Sequence, residues 1–509
     1  MSNTSLVIDA LRRTNPALYL SIGGNSSYSA ALTKRGARVS KYRRYERGDH
    51  DSNLTVQQRN LLNIVADDAE LNEASANYCS VIVDMMAGRL AVTEINSKND
   101  EDADWINQTM ERNNFQSKQG EWFRGAIRDG ESFVLIDPQT AFWSSEPAFD
   151  GYSGVVVIYD DMTGLPVWAC KVWAVLESSD VSSDAEDLGE EDIVYLVVYQ
   201  EDKITYWKGG SGSQTVEKVN VEEGALKILE EGNGYVWELG LIPLVRFGNK
   251  RDNYTSYGES ELRCIIPLQD IVNGTLYDMM MASKLSAFKI YWSKGMEIDK
   301  DGIVPGSVIN LVLKDSGGNV LTNIDDAAAK FLQAVEVGEF GTTDMSQYTN
   351  QLDKLEREIS QVSATPVYGV STSGSMSGDA LRQIEVGLMN KVVRFQKENI
   401  SAIKMLFKIT ARVQEVFDVR SSFLNKYAQR IIEILGWSEP VNLSGKKNLE
   451  LNVNWKSAEI VNIANEVTTL SEMRRDNPNL WPDTWYRERI GSLLGMSSQQ
   501  ITEEGDKAD

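Results

Sequence analysis

The stretch Thr365-Pro366-Val367-Tyr368-Gly369-Val370-Ser371-Thr372-Ser373-Gly374-Ser375-Met376-Ser377-Gly378 divides two helical patterns and decides how the chain is read. Before it, Asp344–Ala364 is amphipathic, and Thr365-Pro366 should end it, because proline disfavours helical backbone in the residue before it. After it come Leu381, Ile384, Leu388, Val392, Phe395, Ile403, Leu406, Val413 and Phe417, which follow a 3.6-residue period that only Asn399 and Thr410 interrupt. Such a helix would be roughly 55–60 Å long at 1.5 Å per residue. A rod of that length suits a ring or tube better than a compact enzyme.

The 509 residues allow two to four domains or one elongated subunit. Hydrophobic (42%) and charged (25%) fractions are those of an ordinary globular protein. A formal charge of −23 argues against a general nucleic-acid binder, which presents a basic surface, but not against a protein that lets DNA pass ungripped. Cys79, Cys170 and Cys264 are few, distant and odd in number, which reads as reduced thiols in a cytoplasm. No signal peptide and no apolar run of about 18 residues occurs, so a soluble protein with no membrane partner is expected.

The first fifty residues are basic, with Arg12, Arg13, Lys34, Arg35, Arg38, Lys41, Arg43, Arg44 and Arg47 against Asp9, Glu46 and Asp49. They read as an extended arm, either docked on an acidic neighbour or solvated at a free terminus. Helices are expected over 60–92, 100–114 and 119–129. Strands follow over 130–137, 154–159, 167–176, 193–199, 204–207 and 235–238, with an acidic hairpin loop at 177–192. A short strand at 241–247 leads to a helix over 259–288, which Pro267 should kink or break. Residues 289–337 turn β-rich, with a hairpin over 308–324. Beyond the long helix come a helix at 424–435, a strand at 449–455 and helical patterns to 495.

Catalytic chemistry finds little support. The single histidine, His50, stands between Asp49 and Asp51 without a nucleophile context. No phosphate-binding glycine loop, nucleophile elbow or Cys-x-x-Cys pair is present. Asp299-Lys300-Asp301-Gly302 resembles a fragment of a calcium loop but lacks its later ligands. Neither metal nor cofactor is expected, and the protein reads as a non-enzyme.

The order of helix, β-rich excursion, helix, small-residue loop and very long helix resembles the portal proteins of tailed double-stranded DNA bacteriophages, in their siphovirus-type branch. The resemblance is carried by Asn77-Tyr78-Cys79-Ser80-Val81-Ile82-Val83-Asp84, Asp129-Gly130-Glu131-Ser132-Phe133-Val134, Tyr257-Gly258-Glu259-Ser260-Glu261 and Pro267-Leu268-Gln269-Asp270. Ser377-Gly378-Asp379-Ala380-Leu381 and Asn454-Trp455 complete it. It implies an α+β portal fold: arm and wing over 1–258, a stem helix at 259–288, and a β-rich clip at 289–343. A second stem helix would follow at 344–365, a channel loop at 366–378, the spine helix and return strand at 379–456, and a helical crown with an acidic tail at 457–509.

The same resemblance implies a homo-oligomeric ring, typically of twelve subunits, at one vertex of the virion capsid, assembled in the host cytoplasm. Through it double-stranded DNA would enter and leave without sequence specificity. Terminase large subunit and a head–tail adaptor would contact the clip at Asp299, Lys300, Asp301, Lys314 and Asp315, and major capsid and scaffolding proteins would surround the ring. Stem contacts between subunits are implied at Asp270, Asp278, Lys284, Asp353, Lys354, Glu356 and Arg357. The uncharged residues Val367 to Gly378 would face DNA. At twelve residues that segment is long for a plain interhelical linker, which runs about 2–8. Two other classes stay open: a packaging nuclease or ATPase, which needs a nucleotide loop or metal carboxylates, and a non-viral scaffold, which need not form rings.

Overall fold

A computed structural model describes residues 2–51, 76–137, 141–160, 162–175, 193–201, 203–211, 213–219, 235–236, 240–251, 257–287, 291–294, 336–339, 345–366, 378–418 and 449–458, with isolated positions between 468 and 490. The chain divides into two units. One comprises Met1–His50, Asn77–Gln269 and Arg357–Asp509, the other Asp51–Ala76 and Asp270–Glu356.

The larger unit begins with helices α1 (Thr4–Thr14), α2 (Pro16–Ser21) and α3 (Gly24–Arg47). Helix α4 (Tyr78–Ala87) and strand β1 (Val92–Ser97) follow, then α5 (Asp100–Arg112) and α6 (Phe115–Asp129). Strands β2 (Glu131–Ile136), β3 (Trp143–Pro147), β4 (Gly154–Tyr159), β5 (Pro166–Val175), β6 (Ile193–Tyr199) and β7 (Lys203–Gly210) come next. They are completed by β8 (Glu217–Lys218), β9 (Tyr235–Val236) and β10 (Leu244–Gly248).

Strands β4 to β8 form an antiparallel meander, with β9 paired to β7. Its alternation is that of a half-buried sheet. Trp168, Cys170 and Val172 on β5 share one face with Val194, Leu196 and Val198 on β6, and α1 lays Leu6, Val7 and Leu11 on that face. The registers Cys170↔Val198 and Val172↔Leu196 put these apolar residues opposite one another.

The N-terminal fifty residues therefore form no extended arm. Two of their basic residues are consumed inside the unit: Arg35 pairs with buried Glu131, and Arg43 Nη2 lies 2.9 Å from Asp129 Oδ2 while its Nη1 lies 2.6 Å from Asp150 Oδ2. Burying a carboxylate is costly unless a cation accompanies it, and these arginines are those cations.

A second sheet, β10-β2-β3, is antiparallel and packs against both α6 and the long helix α9 (Gly378–Asp418). At 41 residues α9 spans roughly 60 Å. Leu388, Val392, Phe395, Ile403, Leu406 and Val413 are buried as their spacing requires. Between helix and sheet sits an aromatic cluster of Phe115, Trp122, Phe123, Trp143, Phe247, Phe395 and Phe407. Strand β13 (Leu451–Trp455) returns to pair antiparallel with β1.

The two polar interruptions of the α9 stripe are filled positions. Asn399 Oδ1 accepts the Gly248 N–H at 2.9 Å, and its Nδ2 donates to the Gly248 carbonyl at 3.0 Å. Thr410 Oγ1 accepts from Trp143 Nε1 at 2.9 Å and donates to Leu406 O at 2.7 Å.

In the smaller unit, β11 (Tyr291–Lys294) and β12 (Glu336–Glu339) pair antiparallel. Helices α7 (Ile266–Ala287) and α8 (Ser346–Ser363) contribute to this unit from Asp270 onward and up to Glu356 respectively, and Gln351 Nε2 donates to Thr275 Oγ1 at 3.2 Å. Helix α7 begins at Ile266, not at 259, so Pro267 does not kink it. Proline occupies the first turn, where its missing N–H would have had no partner. The anticipated hairpin at 308–324, the acidic loop at 177–192 and the helix at 424–435 lie outside the described residues.

Candidate functional site at the foot of the long helix

Of the residues anticipated to face DNA, Val367 to Ser377 lie outside the described residues and Gly378 opens α9. The residues anticipated to meet terminase and the adaptor, Asp299, Lys300, Asp301, Lys314 and Asp315, also lie outside them. Of the residues anticipated to join subunits, Asp278 on α7 and Lys354 and Arg357 on α8 are exposed, while Asp270, Asp353 and Glu356 are half-buried. Lys284 stands on α7, its side chain outside the described set. What the structure describes is the frame from which the segment 367–377 departs.

That frame begins where α8 ends. The Ala364 N–H donates to Gln361 O and the Thr365 N–H to Ser360 O, both at 3.2 Å, with Ala364 left-handed at φ 47°. This is a Schellman closure, in which a left-handed residue satisfies the last helical carbonyls. Ser360 Oγ also donates to Thr365 O at 2.9 Å. Thr365 is buried, and Pro366 follows it, as the sequence requires of a helix stop.

Lys391 on α9 reaches this closure. Its Nζ donates to Ser363 O at 2.7 Å and contacts Thr365 Oγ1 at 3.4 Å, and lies 2.6 Å from Glu261 Oε2. An ammonium has three protons, and here each has an acceptor. Glu261 is completed by Asn249 Nδ2 at 3.0 Å and Lys250 Nζ at 3.1 Å, with Arg394 Nη2 at 4.0 Å. Burial alone would raise the Glu261 pKa, but Lys391 and Lys250 hold it below the ordinary glutamate value. For Lys391 the balance runs the other way: burial lowers its pKa, and Glu261 offsets this only in part.

The stretches that carried the resemblance are tied into the larger unit by specific contacts. Asn77 caps α4 by accepting the Ser80 N–H at 3.1 Å, and the Tyr78 N–H donates to Gln269 Oε1 at 2.9 Å. Gly130 and Gly258 lie backbone against backbone: a Cβ on Gly258 would come within 2.0 Å of Gly130 O. The Asn249 N–H donates to Gly130 O, and the Glu259 N–H to Asn249 O. Asp129 lies between Arg43 and Arg128, whose charges overcome burial and hold its pKa below the usual aspartate value. Trp455 packs on Phe123 with ring centroids 5.2 Å apart. Ser377–Leu381 has its side chains outside the described residues.

Lys391 and Glu261 were not singled out from the sequence, although one signal was available. Lys391 falls three residues after Leu388 and four before Phe395, on the buried face of α9, where a lysine must find a carboxylate. Nothing local reveals that the carboxylate is 130 positions earlier. Among the described residues no cluster of His, Cys, Asp and Glu could hold a metal ion, and no helix is long and apolar enough to cross a membrane.

The frame is thus one of close-packed backbone and buried ion pairs. The phage portal protein family of SPP1 Gp6-like type matches residues 29–479, and the chain belongs to that family. The protein is thus a bacteriophage portal protein of a structural, capsid-associated family. No curated protein matches the chain.

Proposed function

We propose that copies of this chain assemble into a ring, of twelve subunits, at one capsid vertex, and that double-stranded DNA passes through its centre during packaging and ejection. The family match over residues 29–479 carries the reading. The segment 366–378 is the loop that faces DNA, with α9 as the spine of the wing and residues 289–343 as the clip. Clip residues Asp299, Lys300, Asp301, Lys314 and Asp315 meet terminase and the head–tail adaptor; Asp270, Asp278, Lys284, Asp353, Lys354, Glu356 and Arg357 join neighbouring stems. The protein makes and breaks no covalent bonds.

Charge supports this reading. Duplex DNA carries one charge per ~1.7 Å, and a basic bore would hold it and impede sliding. A chain of net charge −23, with twelve consecutive uncharged residues from Val367 to Gly378, offers contact without an ionic grip. Native mass spectrometry and negative-stain imaging test the proposal. A closed ring with a central hole, at a mass near twelve times 56.8 kDa, is the expected result. Monomers or open filaments would overturn it.

A further inference from the structure

We propose that Lys391 is a positioning residue that sets the direction in which the chain leaves α8 toward the segment 367–377. The proposal deepens the reading of that segment as the DNA-facing loop and rests on it for its functional consequence.

Three observations carry it. Lys391 is the one described side chain that bonds both Ser363 O, at the last residue of α8, and Thr365 Oγ1, two residues on. A lysine ammonium at a helix C-terminus completes the last carbonyls and complements the negative end of the helix dipole. Second, Glu261 holds that ammonium from the opposite side at 2.6 Å and is itself fixed by Asn249, which is bonded to the Gly130 backbone. The departure point is therefore referenced to the sheet and to α9 at once. Third, α9 passes close against the closure: a Cβ on Gly387, one turn before Lys391, would come within 3.1 Å of Ala364 Cβ and 3.2 Å of Ala364 O. The closure sits directly on the helix, with the lysine beside it.

A lysine kept only to neutralise Glu261 would not need these two further bonds, since Lys250 already lies 3.1 Å from that carboxylate. The distinction is testable. Hydrogen–deuterium exchange on the full-length protein reads the amides of 361–365, which include the Ala364 and Thr365 N–H groups of the Schellman closure, against those around Phe395 inside α9. Lys391→Met should leave exchange around Phe395 unchanged while accelerating it at 361–365 by about tenfold or more. Lys250→Met, which removes a cation from Glu261 but touches neither Ser363 nor Thr365, should leave both regions at wild-type rates.

Equal protection of 361–365 in Lys391→Met and wild type would overturn the proposal, as would an equal loss in Lys250→Met. Should Lys391→Met unfold, Glu261→Gln, which leaves the lysine in place but loosens its hold, must show a smaller acceleration confined to 361–365; uniform acceleration would again overturn it. The exchange readout does not depend on the ring. Failure of the wild-type protein to form rings would remove the loop's role in DNA passage while leaving the positioning result to be judged alone.

Discussion

Asn399 and Gly248 form a closed pair in which the carboxamide of one replaces the strand that the other lacks. Gly248 ends β10, and its N–H and C=O both turn to the Asn399 side chain. A buried backbone group left unpaired costs about 1–3 kcal/mol. Asn399→Leu, which restores the apolar stripe of α9, should therefore destabilise the protein by about 2–4 kcal/mol. Asn399→Asp, keeping the acceptor but losing the donor, should fall short of wild type as well. Chemical denaturation midpoints measure both, and a Leu variant as stable as wild type would show the pair to be dispensable.

The contact of Gly130 with Gly258 predicts a sharp contrast among glycines. Gly130 has φ 94°, and its Cβ would lie 2.6 Å from Gly258 O. Alanine at either position should cost more than about 3 kcal/mol, or prevent soluble expression, because backbone rather than a side chain must yield. Gly274, on α7 with open space around it, should gain about 0.5–1 kcal/mol on substitution by alanine. Thermal melts of the three variants check the ordering.

Acid should unfold the larger unit through its buried carboxylates. Asp129 and Glu261 both have pKa values held below their ordinary ranges, by Arg43 and Arg128 in one case and by Lys391 and Lys250 in the other. A depressed carboxylate contributes stability that is complete above its unfolded value and is lost as pH falls through the folded one. Tm should be nearly level from pH 7 to about 5 and drop below about pH 4. Asp129→Asn should cost about 1–3 kcal/mol at neutral pH, because Arg43 and Arg128 each lose one charged partner while keeping Asp150 and Glu46, and should flatten part of the acid slope. Tm measured against pH in both proteins separates these effects.

Ala364 is left-handed without being glycine. Replacing it by Gly should stabilise the end of α8 by up to about 1 kcal/mol, since a left-handed conformation costs an L-residue about that much. Loss of stability in the glycine variant would show that the Ala364 methyl group, set against Gly387, contributes more by packing than it loses by strain.

The proposed bore supplies a functional test. Ser373→Lys together with Ser375→Lys should leave rings intact but slow DNA packaging, most strongly at low salt, where charges are least screened. A packaging rate independent of salt would remove the charge-based account of sliding.

Local patterns were readable where local forces decide. Strands at 154–159 and 193–199 are short apolar runs rich in β-branched residues between polar stretches, and α9 has its period, so the sequence indicates all three. The basic N-terminus misled because its charge balance is not local. Arg35 and Arg43 find Glu131 and Asp129 nearly a hundred residues away, and a count of neighbouring charges cannot see them. Pro267 misled in a different way: the residues before it, Glu259 and Glu261, suit a helix N-terminus, but Glu261 is drawn inward by Lys391 and the helix starts after it. Asn399 and Thr410 were visible as interruptions, whereas their partners Gly248 and Trp143 depend on a sheet that only the fold assembles. The frame around Lys391 was the least legible, because its parts come from Asn249 to Glu261, from Ser363 to Thr365 and from α9.

Asn399 and Thr410 are eleven positions apart on α9, three turns and about 16 Å along the axis, and so point to one side. Together they act like two keys in a shaft. The rod cannot roll about its own axis, nor advance by a residue, without releasing Gly248 and Trp143 in the same event. Any swing of α9 must then carry β10 and β3 along with it, so that the three travel as a single lever.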